Sequence, residues 1–253
     1  MHFFRLTYRS LLLLLALIIY IFNLASLGIN IAKLPTWVLT VIWCVFVFEM
    51  ISRFFPSSIE GKGCEKQFEK NFISTGKPFS KTAYVKKQNK AAFIVFVFWV
   101  ILNGTFGALY LCHVFSKEVM LLIALAYSVC DMICILFFCP FHTLIMKNKC
   151  CGTCRIYNWD YAMIFTPFLF IPAFFTWSLL GIALVLMIKW EIMIYRHPER
   201  FYEMTNASLS CRNCEEKLCH HKKSLQRFLS TQKENYSSLL DDHLKKIIEH
   251  KQK

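Results

Sequence analysis

The chain has 253 residues, of which 56% are apolar and only 18% charged, with a mean hydropathy of +0.44. Soluble domains run at about 45–50% apolar and roughly 25% charged, so this composition excludes a disordered chain, a fibre and an ordinary soluble nucleic-acid-binding domain. The 29 Lys and Arg against 16 Asp and Glu leave a formal charge of +13, which attraction to anionic lipid explains without nucleic acid.

The apolar residues lie in runs. Residues 10–32 carry no charge, and an uncharged stretch over 36–48 extends the second run to 34–52. A third run covers 91–115, a fourth covers 119–146 with Asp131 as its one charge, and a fifth covers 161–190. A bilayer core of ~30 Å needs about 20 helical residues, and every run but the second reaches that alone. The expected fold is therefore all-α: a polytopic membrane domain over 1–195 with four spans and a fifth, bent or re-entrant element, then a Cys/His-containing tail over 196–253. The first run is too long for a signal-peptide core and is read as a retained helix.

Lys and Arg counts orient the chain. Nine fall in the 53–90 loop, three in 147–160 and two before the first run, against one in each of the other two turns. The N-terminus and the two richer loops are expected in the cytoplasm of a cell membrane, facing anionic lipid. The 161–190 run is long for one crossing and short for two, and it holds Pro167 and Pro172. A tilted span would put the tail outside; a hairpin turning near Thr176-Trp177-Ser178 would keep it inside. The hairpin is expected, because the tail after residue 188 carries thirteen Lys and Arg.

Two cysteine clusters carry the chemistry. The loop reads Cys150-Cys151-Gly-Thr-Cys154, preceded by Cys139-Pro-Phe-His142, and the tail reads Cys211-Arg-Asn-Cys214, then Cys219-His220-His221. A C-x-x-C pair sets two sulfurs at the spacing of a tetrahedral metal, so Cys151, Cys154, Cys211 and Cys214 are the expected ligands of one zinc ion. Cys150, Cys219, His220, His221, Cys139 and His142 are alternatives. In a reducing compartment such clusters favour metal over disulfide. An iron–sulfur cluster or a redox dithiol is the second reading, although the spacing departs from the ferredoxin run.

Inside the apolar runs, Asp131 marks a functional candidate. At 100° per residue it shares a stripe with Cys134, Phe138 and His142, the outline of a proton or metal-ion path in a small transporter. The alternative is a structural Asp bonded to His113 or Asn103. Glu49 lies four residues before Arg53, as an i,i+4 pair would. Lys189 and Glu191 are expected to snorkel, and Pro198 to end a helix. Residues 224–249 show the spacing of an amphipathic helix that could dock a protein partner. Asn103, Asn206 and Asn235 each begin a glycosylation triplet. No nucleotide-binding or hydrolase motif is present, and no enzymatic role is assigned. The expected role is an assembly or interaction subunit.

Overall fold

The computed structural model describes residues 2–24, 35–55, 66–77, 81–146 and 154–210, with only the backbone of Asn23, Leu24, Lys81, Thr82 and His142. The chain divides into two compact units, Met1–Glu215 and Glu216–Lys253. The second unit, with the expected amphipathic helix, lies outside the described residues, as do Cys150, Cys151, Cys211, Cys214, Cys219, His220 and His221.

The described residues are helical and contain no strand, only one isolated antiparallel bridge between Ser74 and Asn206. The helices are α1 (His2–Leu24), α2 (Thr36–Ser52), α3 (Lys81–Leu111), α4 (Lys117–Leu136), the short α5 (Asp160–Phe165) and α6 (Phe174–Arg196). Four are long and apolar enough to cross a membrane: α1 over His2–Phe22, α3 over Ala83–Leu111, α4 and α6. α2, at 17 residues, is apolar but shorter.

Several boundaries differ from the apolar runs. α3 begins at Lys81, ten residues before its run and inside the expected 53–90 loop, and ends at Leu111, four residues short of the run's end. α1 begins eight residues before its uncharged run, so Arg5 and Arg9 are helical, and both are buried. α4 stops at Leu136, ten residues before its run ends. Pro140 follows and cannot donate to a helical ladder, and the chain continues as one wide turn over Phe141–Met146. The proposed stripe from Asp131 to His142 therefore does not lie on one helix.

The fifth element is a hairpin of unequal limbs. α5 runs into a 3-10 turn over Thr166–Phe170, the chain breaks at Ile171–Ala173, and α6 returns at full length. The break falls before Thr176, whose hydroxyl donates back to the Ile171 carbonyl at 2.6 Å. Both ends of the hairpin meet, because Trp159 Nε1 donates to Glu191 Oε1 at 2.8 Å and Arg155 pairs with Glu191.

The short limb is the centre of the core. Tyr161, Ile164, Phe165 and Phe168 are buried against Phe46 and Met50 of α2, Ala124 of α4 and Leu179, Ala183, Leu186 and Trp190 of α6. Phe165 meets Phe46 edge-on, with ring centroids 5.4 Å apart. The break itself is less covered than the limb: Pro172 and Ala173 are exposed, as are Leu169 and Phe174 on either side of it. Gly107 of α3 admits the limb's tip: a Cβ there would stand 2.1 Å from the Phe170 ring. Trp99 of α3 adds a hydrogen bond to Thr166 at 3.1 Å.

Candidate functional site

The helix directions gather one end of the bundle. It holds the start of α1, the end of α2, the end of α4, the start of α5 and the end of α6. Six buried or mostly buried charges meet there: Arg5 and Arg9 of α1, Glu49 of α2 with Arg53 at its end, Asp131 of α4 and Asp160 of α5. Three are cations and three anions, so the cluster is formally neutral.

Glu49 is its hub. Oε1 accepts from Arg5 Nε at 3.1 Å and Tyr8 OH at 2.7 Å; Oε2 accepts from Arg9 Nη2 at 2.7 Å and Tyr161 OH at 3.0 Å. A carboxylate offers about four acceptor sites, and all four are used. Arg9 in turn donates through Nη1 to Asp131 Oδ2 at 3.3 Å and to the Ser128 carbonyl at 3.2 Å. Arg53 takes Asp160, at 2.6 Å. The Tyr161 ring lies between two guanidiniums, 4.6 Å from that of Arg53 and 5.9 Å from that of Arg9. Cation–π contact and ion pairing together let three arginines pack side by side.

This arrangement revises the sequence reading at several points. Asp131 lies about one and a half turns from the end of α4 rather than at mid-helix, and Arg9 is its partner in place of His113 or Asn103. His113 stands beyond the other end of α4, about 21 Å of helix away. It is exposed, with φ at 58°, and caps α3: its N–H reaches the Tyr110 carbonyl and that of Val114 the Leu109 carbonyl, each at 3.0 Å. That pairing is a Schellman cap, which uses the left-handed region. Asn103 donates to the Trp99 carbonyl at 3.0 Å and accepts from Tyr127 at 3.5 Å. Glu49 reaches across to α1 and α5, and Lys189 and Glu191 point inward: Lys189 donates to the Phe54 carbonyl at 2.5 Å and sits over the Phe54 and Phe68 rings.

Of the expected metal ligands, Cys154 and Cys139 fall within the described residues, and His142 by its backbone alone. Cys154 is buried with Ala92, Val95, Met146 and Ile156. Cys139 and Cys134 are both half-buried, and neither is in a disulfide. Among the described residues no group of three or more His, Cys, Asp or Glu is gathered to hold a metal. Asn206 is wholly buried. Its Nδ2 donates to the Lys66 and Arg200 carbonyls, each at 2.9 Å, and its Oδ1 accepts from Ser208 N–H at 3.1 Å. A glycan nitrogen cannot be spared there. The residues that clasp the 66–77 loop to the 198–210 segment are thus polar but not functional in that sense.

No known family, curated protein or solved structure matches this chain.

The sequence reading missed Arg5, Arg9, Tyr8, Asp160 and Tyr161 as a group. The signal was available in the topology. Alternating crossings place all of them, with Glu49 and Asp131, at one end, and the formal charges there cancel.

Proposed function

We propose that the chain is a multi-pass membrane protein, its N-terminus cytoplasmic, that serves as an assembly or interaction subunit. In this reading Cys151, Cys154, Cys211 and Cys214 hold one zinc ion at the cytoplasmic end of the bundle. One observation carries the proposal. Arg155 and Phe201 line the same small cavity, of about 10 Å³, together with Tyr84, Val85, Gln88 and Ile194. Arg155 directly follows Cys154 and Phe201 precedes Cys211 by ten residues, so their closeness is compatible with the shared site that this reading requires. The cavity is about the size of one water and leaves no room for a substrate. The engagement of Asp131 by Arg9 supports a structural duty for that carboxylate over ion transport.

The test is elemental mass spectrometry on protein purified anaerobically in detergent. The expected result is one zinc per chain, lost in Cys211→Ser and in Cys151→Ser. Iron with inorganic sulfide would replace this reading with an electron-transfer subunit, and absence of metal would refute both.

A further inference from the structure

α3 is longer than a membrane requires. Its uncharged stretch, Ala91–Leu111, rises about 32 Å at helical pitch, close to the ~30 Å of a bilayer core. The preceding turns, Lys81–Lys90, therefore project from the core into the headgroup layer, at the end of the bundle that holds the ion cluster. They are pinned there. Tyr84 OH donates to the Phe201 carbonyl at 3.2 Å, and its ring lies against that of Tyr202 with centroids 4.5 Å apart. Arg155 joins Asn89 to Glu191. Gln88, Ala92 and Val95 are buried, whereas Lys86, Lys87 and Lys90 are exposed.

We propose that Lys86, Lys87 and Lys90 form a binding surface for the headgroups of anionic phospholipids. The inference rests on the reading of the chain as a membrane protein and stands apart from the zinc site. Charge is the first support. The chain holds no Asp or Glu between Glu69 and Glu118, and among the described residues none of the three lysines is in an ion pair. Glu191, which Arg155 brings towards this part of α3, is already taken by Arg155 and Trp159. The buried ion cluster is formally neutral, so it does not offset the charge that α3 displays. Basic residues just outside a spanning helix attract anionic lipid.

Geometry selects the occupant. At 100° per residue, Lys90 lies about 40° round the helix from Lys86, and Phe93 and Val97 each about 20°. Phe93 and Val97 are exposed as well. One stripe of α3 is thus basic above the edge of the core and apolar below it, on the side turned away from Gln88, Ala92 and Val95. A phospholipid presents its phosphate and its acyl chains in that same order along the helix. An acidic protein segment would meet the lysines but leave Phe93 and Val97 uncovered.

The experiment titrates the full-length protein in detergent micelles with phosphatidylserine or phosphatidylcholine and counts retained lipid by native mass spectrometry. The wild type is expected to retain phosphatidylserine in preference to phosphatidylcholine. Each Lys→Gln change at 86, 87 or 90 should weaken phosphatidylserine binding about fivefold, and the triple variant about a hundredfold, with phosphatidylcholine unaffected. Lys117→Gln, at the exposed start of α4 and the opposite end of the bundle, should bind as the wild type does. Retention of the protein in carbonate-washed membranes reads the spanning helices separately, since it does not depend on these lysines. Equal retention of the two lipids by the wild type, or wild-type binding of phosphatidylserine by the triple variant, overturns the proposal. The wild-type comparison of the two lipids still decides should the triple variant fail to fold.

Discussion

Replacement of Glu49 by Gln is the sharpest perturbation of the ion cluster. The shape is kept, but the charge is lost and an amide NH2 now faces two of four donors. Arg5 and Arg9 stand within hydrogen-bond distance of Glu49, at 3.1 and 2.7 Å. With charge centres about 4 Å apart and an effective dielectric near 20, each pair contributes about 4 kcal/mol before desolvation. Desolvation of the carboxylate offsets several kcal/mol, while its removal leaves two guanidiniums buried with Asp131 as the nearest remaining anion. The expected net loss is about 3–5 kcal/mol, the range for breaking a buried pair from one side. The assay is SDS titration of the folded protein in mixed micelles. Ser52→Ala serves as the control, since it removes one 2.7 Å bond to the Glu49 carbonyl and should cost about 1 kcal/mol. Glu49→Gln and Arg9→Met should also be strongly coupled in a double-mutant cycle. A loss under about 1 kcal/mol for Glu49→Gln, or additive behaviour of the two changes, would refute the hub assignment.

Asp131→Asn removes one charge partner of Arg9 but leaves Glu49 in place, so the same titration should show a smaller loss, about 1.5–3 kcal/mol. Gly107→Ala drives a methyl into the Phe170 ring and should cost about 1–3 kcal/mol, with accelerated hydrogen exchange in the short limb. Asn206→Ala orphans the Lys66 and Arg200 carbonyls. The expected effect is local: amide exchange at Ile73, whose N–H reaches Asn206 at 3.4 Å, and at Ala207 should rise at least tenfold while global stability changes less.

The apolar runs made the long helices legible, because hydropathy and helical rise act through composition alone. What they obscured were the ends. The first run begins only after Arg9, since a charge reads as an exit from lipid until its partner is known. Here Glu49 and Asp131 pair with it, and the helix extends through it. The run after Asp131 continues past Leu136 because Phe and Cys are apolar whether helical or not, and only Pro140 hinted at the break. Pro167 and Pro172 announced the bend of the fifth element, yet its turn falls before Thr176. The i,i+4 rule assigned Glu49 to Arg53 because it sees one helix at a time, while the actual partners lie on α1 and α5. The cysteine clusters were legible as a pattern, and only Cys154 and Cys139 of them fall among the described residues.

The ion cluster also fixes an order of events during synthesis. Arg9 is made with α1, but Glu49 is 40 residues later and Asp131 is 122 residues later. At about 5–20 residues per second, Arg9 waits roughly 2–8 s for its first carboxylate and 6–24 s for its second. During that interval an unpaired guanidinium cannot settle among apolar side chains, and the first turns of α1 must stay in polar surroundings. The last partner to emerge is on the hairpin, since Asp160 and Tyr161 follow α4. The bundle therefore closes around its charges in chain order, and the final docking of α1 comes only when the short limb has arrived.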